Sequence, residues 1–199
     1  MIALAADRPD WAVGYEDETW WSRVARPALH TWTDGDPLRL IEQTVAKADP
    51  DPKALACYGL LLHQPEARET FWVRFVEGRP VSALTTQFLE WCCGRLAATG
   101  TTTLVLVWDN AGWHLSTQVR RWLREHNQRA HREGGVRLVP CWLPTKSPWL
   151  YPIEPHWVHG KRRILEPARL LTGREVEERV CAAFGCPLSD PLTIPQEVA

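Results

Sequence analysis

The stretch TTTLVLVWDNAGWH, residues 101–114, decides the architecture. Its first half is an apolar, β-branched run with little alternation, the pattern of a central strand covered on both faces. A strand is predicted over 102–108. The second half sets a carboxylate, a carboxamide and an imidazole within six positions: Asp109, Asn110 and His114. In open α/β sheets, ligands meet the chain just beyond the carboxyl ends of strands. Taken alone, Asp109 also suits a helix cap, a role that Asp and Asn favour.

Outward from this stretch, the elements alternate. WAVGY (11–15) reads as a short strand running into Glu16, Asp17 and Glu18. Residues 30–52, rich in Asp, Pro and Gly, read as loop. LACYGLLLH (55–63) and ETFWVRFVEG (69–78) flank a turn and predict an antiparallel hairpin. From Pro80, Leu84, Phe88, Trp91 and Leu96 recur near a helical period, ending before Gly100. Residues 115–132 predict a basic amphipathic helix stopped by Gly134-Gly135. VRLVPCWL (136–143) predicts a strand, and PTKSPWLYP (144–152) a proline-rich loop. A helix is expected from Ile153 to about Leu165 and another near 173–184, before a proline-spaced tail. Strand, hairpin, helix, strand, helix, strand, helix makes an α/β fold with a mixed sheet. Residues 1–170 are expected to form the main domain, and 171–199 a C-terminal helix and irregular tail.

Composition excludes several classes. Hydrophobic residues make up 45% and charged residues 24% of the 199, as in soluble globular chains. With no long apolar stretch and no signal peptide, the expectation is a cytoplasmic protein without membrane contact. The six cysteines form no CxxC pair and suit buried thiols better than a disulfide or zinc scaffold. Net charge is −1, but it is unevenly spread: residues 1–52 carry ten acids against five bases, and 113–137 carry six Arg against two Glu. An acidic front and a basic back half suit either carboxylates beside a phosphate-binding surface or solvated helix faces. Twelve Trp are many for this length; some serve the core and some are free to stack on bases.

Two predicted strands thus end on acid, at Glu16-Asp17-Glu18 and at Asp109, and Glu154 opens a helix after the proline loop. Three carboxylates on one site repel one another unless a cation lies between them. Mg²⁺ takes carboxylate and water oxygens, and paired ions about 4 Å apart serve phosphodiester chemistry.

YEDETWW (15–21), VWDNAGWH (107–114) and LPTKSPWLYPIEPHW (143–157) resemble the three signature blocks of the DDE transposases of insertion sequences and the mariner-like superfamily. The likeness spans about residues 10–165. It implies a ribonuclease-H-like, integrase-type fold, with Asp17, Asp109 and Glu154 as catalytic metal-binding acids. Glu16 is the rival to Asp17 if the register is off by one. It implies Mg²⁺ as cofactor, with Mn²⁺ as a substitute, and DNA (transposon ends and target) as partner. Glu18, Asn110 and His114 match supporting positions. Arg120, Arg121, Arg124, Lys146, Lys161, Arg162 and Arg163 are candidates for phosphate contacts. Metal-bound water would cut at a transposon end, and the freed 3′-hydroxyl would attack target DNA. A homodimer is expected by the same resemblance.

Two departures matter. Tyr151 stands where the family has Asn beside the third acid. The first block also begins about fifteen residues in, leaving no room for the family's helix-turn-helix region, so the expectation is that a separate chain supplies end recognition or that the chain is a fragment of a frameshifted or split gene. These departures keep two alternatives open: an inactive or repurposed remnant that binds DNA or protein, and a nuclease of the same fold acting on RNA–DNA hybrids.

Overall fold

The computed structural model describes residues 5, 7–25, 43–64, 68–144, 150–164, 166 and 169–194. Five strands form one sheet: β1 (Trp11–Ser22), β2 (Ala54–His63), β3 (Thr70–Val76), β4 (Thr103–Trp108) and β5 (Arg137–Trp142), in the order β3-β2-β1-β4-β5. Pairs β1–β2 and β2–β3 are antiparallel; β1–β4 and β4–β5 are parallel. The mixed sheet agrees with the expected fold class. Among the described residues, four helices flank it: α1 (Ser82–Ala97), α2 (Thr117–Glu133), α3 (Ile153–Ile164) and α4 (Gly173–Phe184).

Period-2 alternation divides the core. Ala12, Tyr58, Leu60, Leu104, Leu106 and Trp108 face α1 and α2, where Leu84, Phe88, Leu96, Val119 and Leu123 cover them. Val13, Tyr15, Trp21, Leu61, Val105 and Val107 face α3 and α4, against Ile153, Trp157, Val176 and Val180. All six residues of β4 are buried, so the apolar run at 103–108 is the doubly covered central strand its composition predicts. The C-terminal helix α4 therefore joins the core. Past it, Leu192 bonds to the backbone of Phe75 and Glu77, along the outer strand β3.

One expectation is corrected. Strand β1 does not stop at Tyr15; it runs to Ser22 and carries Glu16, Asp17 and Glu18 within it. Its antiparallel partner β2 pairs with it residue by residue as far as Ser22↔Ala54. That ladder satisfies the backbone of the acidic stretch, which local propensity disfavours as strand.

Helix α2 begins with Ser116, whose hydroxyl accepts from Val119 N (3.2 Å), so Asp109 is not its cap. It ends at Gly134 in the left-handed region (φ 80°). Proline at position 140 is tolerated because β5 is an edge strand. No helix among the described residues is long and apolar enough to cross a membrane.

Candidate metal and catalytic site

The parallel pairing of β1 with β4 runs to Tyr15↔Val107. Two residues further, Asp17 on β1 lies level with Asp109 at the exit of β4. Neighbouring strands are about 4.8 Å apart, and the charge of Asp109 acts on Asp17. Asp17 faces the α3 side, where Trp157 Nε1 donates to its Oδ2 (2.9 Å). Asp109 Oδ1 accepts from Ala111 N (2.9 Å) and pairs with His114 Nδ1 (2.7 Å). Its Oδ2 has no partner among the described residues.

Glu16 and Glu18 point to the other face, toward α1 and α2. Glu16 is fully buried and accepts from Trp108 Nε1. Its second oxygen, Oε1, is buried without a partner among the described residues. Glu18 Oε1 accepts from Trp113 Nε1 (2.7 Å) and lies 3.0 Å from His114 Nε2. His114 is fully buried, tilted against Trp108 with ring centroids 4.2 Å apart. Its two nitrogens each meet a carboxylate, Asp109 and Glu18, and Glu16 lies 3.5 Å away.

The titration behaviour follows from this placement. Burial pushes Asp17 up to about 7; the bond from Trp157 opposes the rise, and the charges of Glu18 and Asp109 add to it. Burial also holds Glu16 well above the usual carboxylate range, helped by Glu18. Burial alone would lower His114, but its bonds to Asp109 and Glu18 and the nearby carboxylate charges push it up to about 10. Both ring nitrogens of His114 face carboxylate oxygens, so its protonated form donates from each. Burial likewise tends to raise Asp109, but the bonds from His114 and Ala111 N hold it below its ordinary value.

Glu154 sits in the first turn of α3 and is exposed. No hydrogen bond or ion pair among the described residues joins it to Asp17 or Asp109. It lies one turn before Trp157, on the helix that reaches Asp17. Asn110 is exposed and donates to Leu143 O (2.8 Å), bracing the exits of β4 and β5 rather than the acids. Tyr151 is buried, with a hydroxyl that has no partner among the described residues. Arg120, Arg121 and Arg124 lie exposed on α2, and Lys161, Arg162 and Arg163 on α3. Lys146 lies outside the described residues.

Sequence reasoning missed Trp157, Trp108 and Gly59. A Cβ on Gly59, which pairs with Asp17, would come within 2.2 Å of the Trp157 ring. A glycine inside the apolar run LACYGLLLH was the available signal, since it marks close approach.

Among the described residues, Asp17, Asp109 and Glu154 do not form a cluster whose ligand atoms lie within 4.8 Å of one another. Their oxygens suit Mg²⁺ or Mn²⁺, Asp17 is buried with like charges beside it, and Asp109 keeps one oxygen unpaired. Ligand atoms of Glu16, Glu18 and His114 do lie within 4.8 Å of one another.

A five-stranded mixed sheet in the order β3-β2-β1-β4-β5, flanked by helices on both faces, defines a ribonuclease-H-like domain. The chain belongs to the DDE superfamily endonucleases, whose family model matches residues 57–177, more than half of its length. Among solved structures it is similar to the Mos1 transposase paired-end complex with left transposon end, at 16% identity and TM-score 0.59, over 88% of this chain and 48% of that one. The Mos1 mariner paired end complex with Mn gives 17% identity and TM-score 0.57, again over 88% and 48%. The catalytic domain of Mos1 mariner transposase gives 15% and 0.50, over 88% and 70%. At such identities the likeness is one of fold, and the chain spans about half the length of the first two. No curated protein matches it.

Proposed function

We propose that this chain is a transposase catalytic domain that cuts a DNA phosphodiester at a transposon end and transfers the freed 3′ end to target DNA. The observation that carries the reading is the placement of Asp17 beside Asp109 on adjacent parallel strands, with Trp157 and His114 fixing the two carboxylates from opposite faces. Asp17, Asp109 and Glu154 are the catalytic and metal-holding acids of this reading. Magnesium, or manganese in its place, supplies Lewis-acid activation of water and stabilises the leaving oxygen when bound there. His114, held by Glu18, fixes the orientation of Asp109, and Trp157 that of Asp17. Glu154, in the first turn of α3, would complete the set of acids. Arg120, Arg121, Arg124, Lys161, Arg162 and Arg163 contact phosphates, giving an affinity that falls with salt.

The chemistry balances without a covalent protein intermediate. Water attacks phosphorus, the 3′-oxygen leaves, and the water's proton is passed through solvent to that oxygen, which becomes a 3′-hydroxyl. The 3′-hydroxyl then attacks a target phosphodiester, displacing another 3′-oxygen. Two copies on paired ends, with end recognition from a separate chain or segment, complete the proposal.

A second reading, a repurposed fold that binds DNA without cutting it, draws on Tyr151 and its buried, unpaired hydroxyl beside the acid site. One experiment separates the two. The protein is incubated with Mg²⁺ or Mn²⁺ and a pre-nicked DNA end, products are resolved on a denaturing gel, and metal binding is followed by calorimetry. The proposal expects cleavage that falls by about 10³-fold in Asp109→Asn, the equivalent of several kcal/mol of lost charge stabilisation. Undiminished cleavage by that variant overturns it. DNA binding with no metal uptake and no cleavage supports the second reading.

A further inference from the structure

Twelve tryptophans raise the question of which one meets nucleic acid. Most are in the core or bonded to a carboxylate. Trp142, the last residue of β5, is placed differently. One face of its indole lies on Trp108, with centroids 5.3 Å apart and planes at 11°. The residue is still 38% exposed. Trp108 in turn packs on His114, which bonds to Asp109. A continuous stack of rings therefore runs from the acid site to this surface.

The surface is a groove of about 360 Å³ between α2 and β5, lined by Arg120, Leu123, Arg124, Asn127, Pro140 and Trp142. Its origin is local. Asn127 donates to Leu138 O and accepts from Leu138 N, both at 2.8 Å, and His126 Nε2 lies 2.9 Å from Val136 O. Helix α2 is thus tied to the first half of β5, while the second half stays open. Arg120 and Arg124 are one turn apart on α2 and have no acidic partner among the described residues. Two free guanidinium groups above an exposed indole match a phosphate backbone with an unstacked base, the arrangement by which single strands are held.

We propose that this groove is a subsite for an unpaired nucleotide of the DNA substrate, whose base stacks on the free face of Trp142 while Arg120 and Arg124 hold the flanking phosphates. The proposal rests on the DNA-cutting reading above and adds to it a preference for frayed or single-stranded ends beside the acid site. Duplex DNA keeps its bases stacked and gains only the phosphate contacts.

The test is fluorescence anisotropy of a labelled duplex carrying a short single-stranded 3′ extension, compared with the same duplex blunt. The chain, Trp142→Ala, Trp142→Phe and Arg124→Gln are measured over a salt series. The extension is expected to bind the chain more tightly than the blunt duplex. Trp142→Ala loses about tenfold on the extended duplex and little on the blunt one, and Trp142→Phe recovers most of that loss. Arg124→Gln weakens both and lowers the salt slope by about one. If Trp142→Ala binds the extension as the chain does, or weakens both substrates equally, the stacking subsite is wrong while salt-sensitive DNA binding still supports the parent reading. If the chain binds neither DNA at low salt, both fall.

Discussion

Replacing Gly59 by Ala tests how helix α3 is positioned over the acids. The new Cβ would lie 2.2 Å from Trp157 Cη2, 2.5 Å from its Cζ2 and 3.2 Å from Phe71 Cε1. Carbon atoms rest at about 3.5 Å or more, so the indole must retreat by about 1.3 Å. It has little room to swing, because Trp21, Phe71 and Phe184 pack round it at centroid distances of 5.8, 5.0 and 5.4 Å. The helix lifts instead. The 2.9 Å bond from Trp157 Nε1 to Asp17 then stretches out of range. Overpacking of this depth costs about 3 kcal/mol, and the stiffer backbone of alanine returns up to about 1 kcal/mol. The net loss of about 2 kcal/mol lowers Tm by about 4–8 °C. Misplacing Asp17 and α3 by about 1 Å lowers cleavage by about 10²-fold. Thermal melts and gel-based cleavage measure the two effects. Trp157→Leu makes room, so Gly59→Ala in that background is expected to be close to neutral. Equal costs of Gly59→Ala in both backgrounds would refute the clash and the positioning built on it.

Three further perturbations have defined outcomes. Arg23, buried, donates to Asp49, Asp51 O, Pro52 O and Leu171 O; Arg23→Ala removes all of these bonds and is expected to lower the urea midpoint of unfolding. His114→Ala strips the imidazolium from Glu16 and Glu18 and costs about 3–5 kcal/mol, part of which Glu18→Gln restores in the same melts. Glu175 closes a capping box at the start of α4, and its bond from Arg169 holds it down to about 2. Its folded value lies below its unfolded one, so its contribution is present above about pH 4.5 and lost as pH falls through about 2; the stability gap between the chain and Glu175→Gln, followed by circular dichroism, closes over that window.

Much of the fold was legible because its signals are local. The hairpin and α1 to α4 announce themselves through alternation, helical period and stopping Gly134. Strand β1 was not legible beyond Tyr15, because YEDET is polar and its pairing with β2 is made with residues some forty positions away. The acids Asp17, Asp109 and Glu154 were legible as a motif. Which acid faces which helix was not, since a period of two is visible only once the strand is known to continue. Trp157 carried a spacing, one turn after Glu154, but its bond to Asp17 depends on the gap left by Gly59.

That continuation explains how one short stretch serves two faces of the sheet. Along β1, Glu16 and Glu18 enter the layer under α1 and α2, and Asp17 enters the layer under α3. Each layer answers with a donor of its own: Trp108, Trp113 and His114 on the first, Trp157 on the second. A slip of one residue would exchange the two sets and leave both without matching partners. The register is therefore held by polar contacts on both faces, and by Gly14 and Gly59, where a Cβ would meet Leu60 at 2.8 Å and Trp157 at 2.2 Å. Side chains that make poor strand by propensity thus define the only register in which Asp17 stands beside Asp109.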